Sequence, residues 1–151
     1  MTPPGARRIF HIATRADWEA TLESGTYTTS TAGRTLADEG FIHASRREQV
    51  AGVFDRYYAH AGEPLVLLTI DPSRLDSEVR VESVGDDTYP HVYGPINRTA
   101  VVEVVPLDRH GRPEEFAWVL FLRDVAKRMG VAVLAMVLIV VVVLVAGKLG
   151  G

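Results

Sequence analysis

The sequence of 151 residues contains no cysteine. It therefore forms no disulfide bond and has neither a thiolate nucleophile nor a cysteine metal site. Basic charge is also scarce, because 16 Lys and Arg stand against 19 Asp and Glu and the formal net charge is −3. A mildly acidic domain is poorly suited to neutralising the phosphates of a nucleic acid. We therefore expect a protein that does not bind nucleic acid.

Charged side chains are missing from one long segment. Gly130 to Gly147 consists almost entirely of Val, Leu, Ile, Ala and Met. A helix of this length, rising about 1.5 Å per residue, spans roughly the hydrocarbon core of a bilayer. A buried core helix is the alternative, but little of this sequence follows the segment to cover it. We predict a transmembrane helix over residues 129–148, a juxtamembrane segment over 117–128 and a tail over 149–151.

Basic residues flank the predicted span unequally. Arg123, Lys127 and Arg128 precede it, and only Lys148 follows it. Because the more basic flank usually stays in the cytoplasm, we expect a single-pass protein with its N-terminal domain on the cytoplasmic side and the bilayer as a partner. No apolar stretch typical of a signal peptide follows the first residues, and we expect residues 1–6 to be a short disordered segment.

Residues 7–116 carry the pattern of a small α+β domain. Capping patterns predict two helices, one that starts after Thr14 and stops at Gly25, and one that Ser45 opens with Glu48 three residues later. Alternating or continuous apolar residues predict extended segments, with polar loops between them at 26–34 and 85–90; these segments are 7–13, 40–44, 64–71, 78–84, 91–96 and 100–107. Five or six short strands and two main helices favour a compact, split and mostly antiparallel sheet.

Three of the five histidines lie where predicted elements begin or end, namely His11, His43 and His91. Imidazole both donates and accepts hydrogen bonds and titrates near neutral pH, so it suits a ribose contact, a general base or a metal ligand. Taken singly, each histidine is more commonly structural. A three-histidine zinc site is conceivable, but no closely spaced histidine pair supports it, and we expect no metal.

The predicted helix start at Ser45 carries Arg46 and Arg47 in its first turn. A helix N-terminus favours anions, and arginine there is unfavourable for the helix alone, which indicates a bound phosphate or carboxylate. In the alternative interpretation the two arginines are solvated and paired with nearby acidic residues, Asp17, Asp38 or Glu39.

Two further residues are candidates for the same site. Glu82 lies in a predicted strand and is a single carboxylate that could face a cleft. Tyr93 follows His91 by two positions, so both side chains share one face of an extended segment.

Several segments together resemble the bacterial domain-of-unknown-function 952 family, and they cover roughly residues 8 to 116. In chain order they are Phe10-His11-Ile12-Ala13, Asp17-Trp18, Gly25-x-Tyr27, residues 39–45 (EGFIHAS), Gln49-Val50, residues 65–68 with Ile70-Asp71, Glu82, and residues 90–96 (PHVYGPI). The resemblance implies a divergent relative of the ADP-ribosyltransferase fold, with a cleft for nicotinamide adenine dinucleotide (NAD) between two sheets.

The resemblance also implies roles for individual residues. His11 would contact the NAD ribose, His43 and His91 would position the acceptor or transfer a proton, and Glu82 would be the carboxylate. Ser45, Arg46, Arg47 and Tyr93 would complete the nucleotide site. Because the glutamate motif usual for that fold is not evident, a non-catalytic nucleotide- or ligand-binding module and a membrane-tethered interaction domain remain alternatives to an ADP-ribosyl enzyme.

Overall fold

The computed structural model describes residues 7–114, which form an antiparallel α+β domain, as the sequence predicts. The strands are β1 (Ile9–Thr14), β2 (Thr26–Tyr27), β3 (Thr29–Thr31), β4 (Arg34–Thr35), β5 (Ile42–His43), β6 (Leu65–Ile70), β7 (Glu78–Val84), β8 (Asp87–Tyr93), β9 (Ile96–Asn97) and β10 (Val101–Leu107). The helices are α1 (Arg15–Ser24), α2 (Leu36–Glu39) and α3 (Val50–Tyr57), with single 3₁₀ turns at Arg47–Gln49, Pro72–Arg74 and Arg98–Ala100.

Two three-stranded sheets form the framework of the domain. Their strand orders are β1-β6-β10 and β5-β8-β7, and every pairing within them is antiparallel. An isolated bridge joins the two sheets, because the backbone N–H of Phe10 donates to the carbonyl of Ser45 at 2.9 Å and the reverse bond is 2.8 Å. The short pairs β2–β9 and β3–β4 lie outside these two sheets. This bridge places the end of β1 beside the segment that follows β5.

The core lies on both faces of the sheet formed by β1, β6 and β10. The central strand β6 is buried at every position, in keeping with its continuous apolar run. Alternate residues of β1 divide between two clusters: Ile9 packs in one, and Phe10 and Ile12 pack with Phe54 of α3 in the other. This division between the two faces is the alternation expected of a β-strand that is buried on both sides.

The start of the first helix agrees with the sequence prediction, and the start of the second does not. The Thr14 hydroxyl accepts a hydrogen bond from the Asp17 N–H at 3.0 Å, and Gly25 ends α1 with φ of 83°. Ser45 does not cap α3, because α3 begins only at Val50 and the Ser45 hydroxyl donates instead to the carbonyl of Phe10 in β1 at 3.3 Å. Arg46 precedes a 3₁₀ turn instead, and its N–H donates to the Gln49 side chain at 2.9 Å.

The two predicted polar loops are largely strands. Residues 26–34 include β2 and β3, and residues 85–90 contain a tight turn followed by most of β8. Gly33 and Gly85 supply the positive φ angles, 73° and 63°, that these turns require. The prediction was wrong because these strands expose much of their surface, so their polar residues do not indicate loops.

Within residues 7–114, no helix is long and apolar enough to cross a membrane. The predicted transmembrane helix at 129–148, the segment at 117–128, the tail and residues 1–6 lie outside the described residues.

Candidate functional site

A cleft of about 440 Å³ opens between α3, the β3–β4 hairpin, the end of β5 and the tip of the β7–β8 hairpin. His11 and His43 both line it, as the sequence analysis expects of site residues, and Ser45 lines it as well. Charged and aromatic residues complete its wall, namely Glu39, Arg34, Arg56, Tyr57, Tyr58 and Tyr89. The volume is typical of a small-molecule site.

Glu39 and His43 form an ion-pair-like contact in this cleft. Glu39 is the last residue of α2, and Gly40, with φ of 81°, turns the chain into β5. The turn brings the Glu39 Oε2 atom within 3.0 Å of the His43 Nε2 atom. The buried Ser30 hydroxyl also lies 2.7 Å from Oε2, and the His43 side chain is 43% exposed. The pair is therefore held in place and still open to a ligand.

The protonation states of this pair suit a proton acceptor. The hydrogen bond from Ser30 holds the pKa of Glu39 below its usual range, so Glu39 is ionised and accepts from Nε2–H. Partial burial lowers the pKa of His43, although the Glu39 carboxylate acts in the opposite direction. No hydrogen bond from residues 7–114 reaches the His43 Nδ1 atom. At neutral pH His43 is thus a neutral imidazole with one nitrogen free.

His11 lines the cleft but both of its ring nitrogens are engaged. Its Nδ1–H donates to the carbonyl of His43 at 2.6 Å, and its Nε2 accepts from the Tyr27 hydroxyl at 2.9 Å. Burial lowers the pKa of His11 to about 4, so the ring is neutral. In this structure His11 has no free nitrogen for the ribose contact that the resemblance implies, and it instead supports the backbone of His43.

His91, Glu82 and Tyr93 form a second network, which does not line the cleft. The His91 Nδ1 atom lies 2.6 Å from Glu82, and the Tyr93 hydroxyl donates to the same carboxylate at 2.9 Å. These two hydrogen bonds hold the pKa of Glu82 below its usual range. Phe41 stacks on the His91 ring with centroids 4.3 Å apart. The three predicted residues are therefore together, but away from the cleft surface.

His91 and His43 are nevertheless neighbours. They are paired residues of β8 and β5, and their rings meet edge to face with centroids 5.1 Å apart. The His91 side chain is 5% exposed, and its Nε2 atom has no hydrogen-bond partner among the described residues.

The predicted anion site at Ser45, Arg46 and Arg47 is not a single pocket. Arg46 is occupied by its own partners, since its guanidinium contacts Asp87 at 2.8 Å and also bonds Glu48 and the backbone carbonyl of residue 88. For Arg46 this fits the alternative interpretation of a paired arginine, although its partners are not Asp17, Asp38 or Glu39. Arg47 lies over the Phe10 ring, 5.8 Å from its centroid. Neither arginine lines the cleft.

The arginines that do line the cleft are Arg34 and Arg56. The sequence does not single them out, and it does not identify Glu39 as a site residue either. The spacing of Glu39 and His43, with Gly40 between them, is the one sequence signal that could have indicated their contact.

Among residues 7–114, no group of three or more His, Cys, Asp or Glu side chains could hold a metal ion. The engagement of both His11 nitrogens is the physical reason against the three-histidine zinc site.

Comparison with known proteins agrees with this antiparallel architecture. The sequence profile described as "Protein of unknown function (DUF952)" matches residues 12–104, more than half of the chain. The chain belongs to the DUF952 family. No match to a curated protein was found.

Solved structures of one bacterial protein are similar to this chain. The crystal structure of CC0527 from Caulobacter crescentus is similar with a TM-score of 0.59 and 29% identity, over 71% of this chain and 93% of that one. Its solution NMR structure gives a TM-score of 0.51 and 30% identity, over 73% and 94% of the two chains.

Proposed function

We propose that this DUF952 protein binds NAD or a related nucleotide in its cleft and acts as a divergent ADP-ribosyltransferase-like enzyme. The observation that carries the proposal is the Glu39–His43 pair, with a 3.0 Å contact on one side of the imidazole and a free nitrogen on the other. A neutral imidazole held by a carboxylate is a common general base. The sequence analysis assigns the carboxylate to Glu82, and we replace it with Glu39 because Glu82 does not line the cleft.

The residues around the cleft fit a nucleotide. Arg34 and Arg56 offer positive charge for phosphates, while Tyr57 and Tyr89 offer flat surfaces for a base or a nicotinamide ring. The cavity of about 440 Å³ is large enough to enclose a substantial part of such a ligand.

Bound NAD would supply a ribosyl carbon whose bond to nicotinamide breaks, with the electron pair leaving on nicotinamide, as an acceptor oxygen or nitrogen bonds to that carbon. The His43 Nδ1 atom takes the proton that the acceptor loses. Glu39 keeps the imidazole in the tautomer that has Nδ1 free, and it stabilises the imidazolium that forms. His11 fixes the His43 carbonyl and thereby the position of β5.

A non-catalytic nucleotide-binding module is the second candidate. It is favoured by the engagement of both His11 nitrogens, which leaves no first-strand group free to contact the ribose. In this case the cleft binds the nucleotide without breaking the bond to nicotinamide.

The test measures nicotinamide release from NAD and NAD-induced thermal stabilisation for the full-length protein. We expect His43→Gln and Glu39→Gln to lower the release rate by about 10²- to 10⁴-fold and to retain NAD binding. His60→Gln and Glu19→Gln, exposed residues that do not line the cleft, are the matched controls. Stabilisation without release in the wild type would establish the binding module, and neither effect would overturn both candidates.

We also propose that residues 129–148 anchor the chain in a membrane with the domain on the cytoplasmic side. The uncharged run and the excess of basic residues before it support this assignment. The full-length protein is expected in the membrane fraction after alkaline washing, and a chain that ends at Arg128 in the soluble fraction. Equal distribution of the two chains would contradict the anchor.

A further inference from the structure

We propose that Arg34 and Arg56 form a phosphate subsite in the cleft, which takes the pyrophosphate of a nucleotide. The identity of the nucleotide rests on the proposed function, whereas the preference for a pyrophosphate rests on the two arginines themselves. This subsite replaces the one predicted at Ser45, Arg46 and Arg47.

Of the two arginines that line the cleft, Arg56 makes fewer ion pairs and hydrogen bonds. It lies in the last turn of α3 and its residue is exposed. None of the ion pairs or side-chain hydrogen bonds among residues 7–114 involves it, although it lines the cleft. An arginine without a carboxylate partner at a concave surface is available for an anion, and the planar guanidinium can bind two phosphate oxygens at once.

Arg34 faces the same cleft from the β3–β4 hairpin, where it follows the turn at Gly33. Its side chain is 66% exposed, and its contact with Glu39 is a long one, 3.3 Å between Nη1 and Oε1. His43 and Ser30 use the other carboxylate oxygen, Oε2. Arg34 can therefore turn toward a phosphate while the Glu39–His43 contact is kept.

The charge balance of the cleft also favours an anion. Of the residues described, the charged ones that line it are Arg34, Arg56 and Glu39, so two cations face one carboxylate. His11 and His43 are neutral at neutral pH, since burial lowers the pKa of both. By contrast, Asp87 and Glu48 neutralise Arg46 at the corner where the sequence predicts the phosphate.

The test is titration calorimetry of the full-length protein with inorganic pyrophosphate. We expect the wild type to bind, Arg56→Gln to raise the dissociation constant at least tenfold, and Arg34→Gln to raise it as well. Arg98→Gln is the matched control, because Arg98 is exposed and does not line the cleft. The melting temperature of each unliganded variant provides a baseline, since Arg56 can also stabilise the C-terminal end of α3.

Three results would overturn the subsite: no pyrophosphate binding by the wild type, equal binding by wild type and Arg56→Gln, or a loss of binding confined to Arg47→Gln. The last result would place the anion at the site predicted from the sequence. Failure of the proposed function is a different result. If pyrophosphate binding depends on Arg56 but NAD gives no stabilisation, the phosphate subsite stands and the nucleotide assignment falls.

Discussion

Two histidine–glutamate pairs lie side by side in this domain and differ mainly in their exposure. His43 contacts Glu39 at 3.0 Å on the cleft wall and is 43% exposed, whereas His91 contacts Glu82 at 2.6 Å and is 5% exposed. The two histidines are direct partners in the β5–β8 register. The exposed member therefore differs between the two pairs: at the cleft it is His43, whereas Phe41 covers His91 and Glu82 is the more exposed member there, at 38%.

The difference shows that burial, rather than residue type, separates a candidate base from a structural group. His43 keeps one nitrogen free at the cleft, so its neutral ring can accept a proton from a ligand. The ring of His91 packs against Phe41 and fixes the position of β8 behind His43. We accordingly expect substitutions at the two histidines to affect different properties, activity at His43 and stability at His91.

The largest expected effect concerns a third histidine, His11, which is buried like His91. Its pKa is about 4 in the folded protein and 6.5 in the reference state, a difference equivalent to about 3 kcal/mol. Because the unfolded chain binds the proton more readily, this stability is present above pH 6.5 and is lost as the pH falls toward 4. Urea unfolding between pH 7 and 4 measures the loss.

In His11→Gln the loss of stability between pH 6.5 and 4 should be smaller than in the wild type, with a remainder that includes His43, whose pKa is also lowered, while His60→Gln, an exposed control, should match the wild type. An identical pH dependence in wild type and His11→Gln would show that other groups cause the acid sensitivity.

The next effect compares His91→Ala with His43→Ala. Removal of the buried His91 ring leaves a cavity beside Phe41 and is expected to lower the free energy of unfolding by roughly 2 to 3 kcal/mol. His43→Ala removes a half-exposed ring and should cost less than about 1 kcal/mol. Urea unfolding of both variants at pH 7 makes the comparison.

His91→Phe serves as a shape control, because it keeps the stacking on Phe41 but removes both ring nitrogens, the unpartnered Nε2 atom and the Nδ1 atom that contacts Glu82. We expect it to be destabilised less than His91→Ala, because it leaves no cavity. A larger loss in His43→Ala than in His91→Ala would reverse the roles assigned to the two pairs.

The sequence predicts most of the strands of the two main sheets, but it does not predict the shortest strands of the fold. β1, β6 and β7 have enough residues to show alternation or a continuous apolar run. β3 and β4 have three and two residues, too few for any period, and their pairing depends on the turn at Gly33. The helix-capping pattern at Ser45 misleads for a tertiary reason, since the Ser45 hydroxyl bonds the Phe10 carbonyl of β1 and not a helix N–H.

The candidate site, like the fold, is predicted from the sequence only in part. The sequence analysis singles out His11 within the first strand and His43 at the end of a short one, and the structure places both on the cleft. The partner of His43 depends on how the turn at Gly40 directs Glu39, which no periodic pattern reveals. The location of Glu82 depends on the β7–β8 register, which pairs it with Tyr89 and brings it within reach of His91, and Glu82 itself does not line the cleft.

The smallest expected effect tests whether Arg34 influences the pKa of His43. The Arg34 guanidinium shares the Glu39 carboxylate with His43 and so weakens the attraction between that carboxylate and the imidazole. Arg34→Gln should raise the pKa of His43, as measured by NMR titration of its ring protons, while Arg98→Gln should leave it unchanged. A fall in the pKa of His43 would contradict this account of the cleft. A phosphate that draws Arg34 away from Glu39 has the same electrostatic effect as Arg34→Gln. A rise in the pKa of His43 on addition of pyrophosphate would therefore link anion binding to the basicity of His43. His91 has its own glutamate and should not share this link.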